Sequence, residues 1–221
     1  MKRILLSIVF VCCQLIAFSQ DDGLYESRSG MYARGGINYA GTVGWDDDAA
    51  TRTLGFMGGF GFTSLLDGPG RYSIHLGGEF SQQGLEIKDP VNAEDVSEMK
   101  LHYINIPLYL TYRPFQSYRD FYIGAGPQLG FRVGGHGVTK GGQTGSIVEE
   151  KFENTAWDAI GVVGFNFDNR GDLGIQFRYQ HGLSKVFVDA PEVRHSVFQV
   201  SFIFPVGLLA ELFPAEEQYY Y

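Results

Sequence analysis

The stretch DLGIQFRYQHGLSKV, residues 172–186, carries Leu173, Ile175, Phe177 and Tyr179 at odd positions and Gly174, Gln176, Arg178 and Gln180 at even ones. A period of two is the signature of an extended strand with one apolar and one polar face. Outward from it the pattern repeats. Between Arg71 and Gly84, Tyr72, Ile74, Leu76, Gly78 and Phe80 oppose Ser73, His75, Gly77, Glu79, Ser81 and Gln83. Between Leu101 and Arg113, His102, Ile104, Ile106, Leu108, Leu110 and Tyr112 oppose Tyr103, Asn105, Pro107, Tyr109, Thr111 and Arg113, with Pro107 weakening the strand locally. His195 to Phe204 sets Phe198, Val200, Phe202 and Phe204 against His195, Gln199 and Ser201. Weaker alternation marks 31–41, 53–64, 121–133 and 156–167, which makes eight strands.

The connections alternate in length. They read long at about 42–52, short at 65–70, long at 85–98, short at 114–118, long at 134–154, short at 168–171 and moderate at 186–194. Leu-Asp-Gly-Pro-Gly at 66–70 and Asp-Asn-Arg-Gly at 168–171 have turn chemistry. An even-numbered outer-membrane barrel has short periplasmic turns and longer outer loops, so both termini are expected in the periplasm. A soluble eight-stranded barrel also alternates, but with its apolar face inside. The make-up of the polar face favours the membrane. It is mostly Gly, Ser, Gln and Asn, with a few charges of both signs, Arg34, Glu79, Arg132, Asp158 and Arg178, whereas a face in water would carry more Lys and Glu. These five are expected as a polar cluster inside a narrow, filled lumen. Strands of about ten residues, rising roughly 3.3 Å each and tilted by about 40°, span about 25 Å, the height of the apolar band in such barrels.

Composition narrows the classes. With 30 Gly, 18 Phe and 13 Tyr among 221 residues and only 19% charged, the chain is neither disordered nor a coiled coil. A net charge of −8 argues against a nucleic-acid partner, which needs a basic face. MKRILLSIVFVCCQLIAFSQ, residues 1–20, has Lys2 and Arg3, an apolar run and small Ala17 and Ser19, and reads as a secretory signal peptide. Cys12 and Cys13 both lie within it, so disulfides, thiol catalysis and Cys-ligated metals are not expected in the mature chain. Residues 21–30 read as a linker, 31–206 as the barrel and 207–221 as a periplasmic tail. No later run of 18 apolar residues forms a spanning helix, which leaves a closed barrel as the structure able to cross lipid.

Chemistry-bearing pairs are sparse. His195 and Ser196 are adjacent, and His181 lies three residues from Ser184, so each pair falls on opposite faces of a strand. His75 and Glu79 share the lumen face about 13 Å apart at roughly 3.3 Å per residue, too far for contact. No catalytic residue, metal ligand set or cofactor is expected. Asp46, Asp47 and Asp48, with Asp89, Glu94, Asp95 and Glu98, read as solvated acidic outer loops, and weak divalent binding is the sharper alternative. The Gly-rich stretch 134–154 lacks the Lys-Ser/Thr ending of a phosphate loop and reads as an outer loop. Tyr32, Tyr72, Tyr112, Phe115, Tyr118, Phe121 and Trp157 fit aromatic girdles. In the tail, Leu208, Leu209, Leu212 and Phe213 have the spacing of one apolar face of a short helix, ended by Pro214, and are expected to dock on a partner.

KLHYINIPLYLTYRP (100–114), FYIGAGPQLGFRV (121–133) and VFQVSFIF (197–204), with their N-I-P-L and G-P-Q-L-G cores, resemble the PorT-like outer-membrane beta-barrel proteins of Bacteroidetes. The resemblance covers about residues 30–206. It implies an eight-stranded barrel in the bacterial outer membrane and little about activity, since most members have none assigned and the named member is linked to type IX secretion and gliding. The chain departs from the family where Pro205 to Tyr221 follows the last strand, and where Gln199 stands in place of a commoner Gly.

The expectation is an all-β, eight-stranded antiparallel up-and-down transmembrane barrel. Its role is read as non-enzymatic structural or interaction work, extending to an accessory subunit of an envelope or secretion complex. Its neighbours are outer-membrane lipid and lipopolysaccharide. A lipid-modifying barrel enzyme and a soluble lipocalin-like carrier stay open as alternatives.

Overall fold

Each period-two segment forms a strand, and the strands pair in chain order until the last meets the first. The computed structural model describes residues 30–44, 50–67, 70–87, 96–115, 121–139, 144–146, 153–167, 173–186 and 193–206. Its strands are β1 (Gly30–Val43), β2 (Ala50–Leu65), β3 (Tyr72–Ile87), β4 (Val96–Tyr112), β5 (Phe121–Thr139), β6 (Thr144–Ser146), β7 (Thr155–Asn166), β8 (Gly174–Gly182) and β9 (Arg194–Pro205). Every neighbouring pair is antiparallel. Because β4 pairs with β5 and β9 with β1, eight strands close into a ring. The short β6 adds only to the upper part of β5, with His136 opposite Ser146. Among the described residues, closure gives each of the eight ring strands a neighbour on both sides.

The strands run further than their alternation predicts at the end of the long connections. β4 and β5 have 17 and 19 residues and β8 only 9, so the wall is tallest around β4 and β5. Pairing continues there through Glu86↔Glu98 and Val96↔Thr139. Residues 134–139 and 144–146 are therefore strand, where a Gly-rich loop over 134–154 is expected. The first long connection also shrinks to 44–49, no longer than the turn at 66–71. In that turn Gly70 takes a φ of 68°, and both carboxylate oxygens of Asp67 accept backbone N–H groups, from Arg71 and Tyr72. At the other end of β8 the strand stops at Gly182 rather than continuing to residue 186. The amides of Leu183 and Ser184 both donate to the Trp157 carbonyl.

Pro107 acts locally, as expected. Its missing N–H coincides with a gap in the β3–β4 ladder between Leu76↔Leu108 and Glu79↔Asn105, and the chain stays extended on both sides.

The two faces sort in the sense that lipid requires. Phe177 is 51% exposed and Leu54 66%, whereas Gln176 is fully buried and Glu79 is 3% exposed. Apolar side chains stand outside and polar ones inside, the reverse of a soluble carrier barrel, so the lipocalin-like alternative falls. Among the girdle residues, Tyr72 stacks on Tyr112 with centroids 5.1 Å apart, Phe115 lies 6.2 Å from Phe121, and Trp157 is exposed. Tyr32 is a correction. It shares parity with Arg34 and points into the lumen, where it is buried. Tyr118, the signal peptide, the tail with Leu208, Leu209, Leu212 and Phe213, and the acidic residues 46–48 and 89–95 lie outside the described residues.

Two inward glycines make room for rings. A Cβ on Gly61 would sit 2.3 Å from the Tyr32 ring, and one on Gly164 would sit 2.0 Å from that of Tyr122. Gly61→Val and Gly164→Val should each destabilise the barrel by roughly 1–3 kcal/mol through overpacking. Urea unfolding in detergent, followed by the gel shift of the heat-modifiable barrel, measures this. Unchanged midpoints would mean that the rings have other room.

Candidate functional site

The inward side chains fill the lumen in layers. In the middle layer, β3 supplies Glu79, β1 supplies Arg34 and β8 supplies Arg178, each placed inward by strand parity. Glu79 Oε1 accepts from Arg178 Nη1 at 2.6 Å, and Oε2 lies 3.3 Å from Arg34 Nη1. One carboxylate thus bridges two guanidinium groups, and all three side chains are almost wholly buried. Arg34 also donates to Ser201 Oγ at 3.3 Å. The guanidinium of Arg178 lies over the Tyr109 ring, 5.3 Å from its centroid.

Asp158 joins this cluster through amides. Arg178 Nη1 donates to Gln128 Oε1 at 3.3 Å. Gln128 Nε2 in turn donates to Asp158 Oδ2 at 3.3 Å, and Gln180 Nε2 donates to the same oxygen at 2.9 Å. Arg132 stands apart. Its Nη2 donates to Asn154 Oδ1 at 2.9 Å, and its backbone N–H to the Asn154 carbonyl, at the end of the long connections. Four of the five expected charges therefore form one network. The bridging Gln128 and Gln180 carry no charge to single them out, and only their inward parity beside Asp158 and Arg178 could have done so.

Below the cluster, His75 is clamped between two hydroxyls, Nδ1 3.0 Å from Thr63 Oγ1 and Nε2 3.1 Å from Thr111 Oγ1. Its ring lies flat on Tyr109 at 4.6 Å. Gln176 donates to the hydroxyls of Tyr109 and Tyr122 at 3.3 and 3.1 Å. Above the cluster the filling turns apolar: Leu101, Tyr103, Ala156 and Val186 pack together with Met99 against them. Val186 comes from the connection after β8. Its N–H donates to the Val193 carbonyl at 2.9 Å, and its carbonyl accepts from Glu153 N–H at 3.0 Å. Alternation gives no sign of this cap, because Val186 works from a bend. The cavity lined by Gln83, Leu101, Val186 and His195 holds no more than a water.

His195 and Ser196 take opposite faces, as their adjacency requires. His195 Nε2 lies 3.0 Å from Tyr103 Oη inside the lumen. Ser196 Oγ lies outside, 3.2 Å from Tyr179 Oη and 2.8 Å from Arg52 Nη2. Glu98 of the acidic set pairs with Lys100 at 3.0 Å. Arg52, on the apolar side of β2, is a residue that composition-based reading passed over. Its even parity beside Leu54 and Phe56 was the available signal.

Among solved structures the chain is similar to Neisserial surface protein A, at 13% identity over 80% of this chain and 97% of that one, with a TM-score of 0.48. It is similar to the outer membrane protein OprG from Pseudomonas aeruginosa, at 13% identity over 82% and 98%, with a TM-score of 0.47. It is similar also to Ail, the attachment invasion locus protein of Yersinia pestis, at 14% identity over 80% and 97%, with a TM-score of 0.39. No curated protein matches it. The outer membrane protein beta-barrel domain family matches residues 18–188, and the closed ring with apolar residues outside is what that description requires. The chain belongs to the outer membrane protein beta-barrel domain family and resides in the bacterial outer membrane.

Proposed function

We propose that this barrel is a non-conducting, non-enzymatic outer-membrane protein that works through its surface, as a structural or interaction element. The observation that carries the reading is the filled lumen: Arg34 and Arg178 bridged by Glu79 at mid-height, tyrosines below and the Val186 cap above. Eight strands leave an interior that side chains can fill, and here they do. His75 and His195 are held by internal hydroxyls in that interior, away from any acyl chain on the outer wall. PorT-like membership, suggested by residues 100–114 and 121–133, extends the reading to an accessory subunit of an envelope or secretion complex. Lipid and lipopolysaccharide would surround the wall, and tail residues Leu208, Leu209, Leu212 and Phe213 would dock on a protein partner.

Reconstituted in planar bilayers, the full-length protein should give no conductance steps above the lipid baseline; regular steps would sink the reading.

The cluster has its own signature. Glu79→Gln leaves two guanidinium groups buried without their carboxylate and should destabilise the barrel by roughly 3–5 kcal/mol. Replacing Arg34, Glu79 and Arg178 together by Met should recover most of that loss, since well-packed apolar side chains often match a buried ion triad. Urea titrations compare the two variants. A triple variant weaker than Glu79→Gln would mean that the ions stabilise beyond mutual neutralisation.

For the tail, deleting 207–221 should remove proteins that copurify with the barrel from native membranes while the folded barrel remains. Unchanged copurification would exclude the tail as the docking element.

A further inference from the structure

The outer wall carries a cation where an uninterrupted apolar surface is expected. On β2, Arg52 shares the outward parity of Leu54 and Phe56, both more than half exposed. Its side chain lies across Gly41 of β1, where a Cβ would come within 2.7 Å of Arg52 Cγ. It ends on β9, where Nη1 donates to the Ser196 carbonyl at 2.7 Å and Nη2 to Ser196 Oγ at 2.8 Å. The β8 residue opposite Ser196 is His181. Arg194 stands two residues before Ser196 on the same strand, opposite Val43. Arg52, Ser196, His181 and Arg194 thus lie near the strand ends of the long-connection side, which outer-membrane barrels turn outward.

Directly beneath this row runs an apolar one. Tyr39 pairs with Leu54 on one side and Phe198 on the other, and Phe198 pairs with Tyr179. The Arg52 guanidinium sits 5.0 Å from the Phe198 centroid and 5.8 Å from that of Tyr39, and Tyr179 lies 4.8 Å from Phe198. Among the described residues, no carboxylate lies within ion-pair distance of Arg52 or Arg194. A guanidinium has five N–H donors, and Ser196 uses two of those on Arg52.

A cation with no carboxylate partner among the described residues, held by its own built seat near the strand ends of the long-connection side with outward-facing rings below, complements one kind of molecule: an anion joined to acyl chains. A free anion would need no apolar row. We infer that Arg52 and its neighbours bind a phosphate of a phosphorylated outer-leaflet glycolipid, whose acyl chains lie along Leu54, Tyr39 and Phe198. The free guanidinium donors and the Arg194 side chain take the phosphate oxygens, in the forked geometry that arginine makes with phosphate. The inference deepens the surface-acting reading proposed above by naming one ligand of that surface.

The test uses the full-length protein in detergent, titrated with lipid A carrying its phosphates, with dephosphorylated lipid A of the same acyl chains, and with inorganic phosphate, and read by native mass spectrometry. The expected result is that the phosphorylated lipid binds at least tenfold tighter than the dephosphorylated one and that millimolar inorganic phosphate does not displace it. Arg52→Gln should lose at least tenfold. Gly41→Leu, which keeps the charge but evicts the arginine stem from its seat, should lose a similar factor. Equal binding of the two lipids to the unaltered protein overturns the inference, as does displacement by inorganic phosphate or undiminished binding by a folded Arg52→Gln barrel. Should either variant fail to fold, the comparison of lipids on the unaltered protein decides. Failure here leaves a silent bilayer recording intact, whereas conductance steps would overturn the proposed function with the lipid preference untouched.

Discussion

Hydrocarbon offers a backbone nothing to bond with, and that constraint organises the whole molecule. An extended chain can enter lipid only if every N–H and C=O finds a partner on a neighbouring strand, and only a closed ring supplies one on both sides of every strand. The pairing of β9 with β1, from Val43↔Arg194 to Tyr32↔Pro205, completes it. Once the ring is closed, strand pleat does the rest: every second side chain enters the lumen and every other one meets lipid. The parity of each strand is therefore set by which set of residues tolerates acyl chains.

Inside the ring the balance is electrostatic. Burying charged groups is costly unless each finds a partner, and the interior has met that cost by convergence rather than by avoidance. Glu79 reaches two arginines from different strands, and Gln128 and Gln180 carry the network on to Asp158. The side chains involved are long and the cylinder is narrow, so room must be made elsewhere. Gly61 and Gly164 yield space to Tyr32 and Tyr122, whose rings lie beside His75. The same small residues that signal turns in composition thus work mid-strand as slots.

Much of this was legible along the chain because the period of two is a direct consequence of the pleat. Phe177 against Gln176, and Leu76 against Glu79, carry the information for both the strand and its orientation. Tyr32 shows how the same rule outranks residue type: a tyrosine near a strand end resembles a girdle residue, yet it keeps parity with Arg34 and so turns inward. Strand ends were less legible. Glycines such as Gly134, Gly135 and Gly137 weaken the alternation, yet they pair with β4, since main-chain bonding does not depend on the side chain. The pairing of particular charges was not legible at all. Which arginine meets Glu79 depends on the stagger of strands far apart in sequence, and Arg132 lies too near the rim to reach it.

The contrast between Arg178 and Arg52 follows from the same geometry. Arg178 takes an inward position in a strand of strict alternation, and Arg52 takes an outward one beside a register shift in β2. The inward arginine is neutralised by a carboxylate because water is excluded and its charge has nowhere else to go. The outward arginine is held by a carbonyl, a hydroxyl and two ring faces, none of which cancels its charge. Such a seat is tolerable only close to the headgroups, where the cost of charge on the lipid face falls away. An arginine fixed there, over a glycine that admits its stem, is positioned by the fold as firmly as those within the lumen. What differs is that, among the described residues, no carboxylate stands beside it.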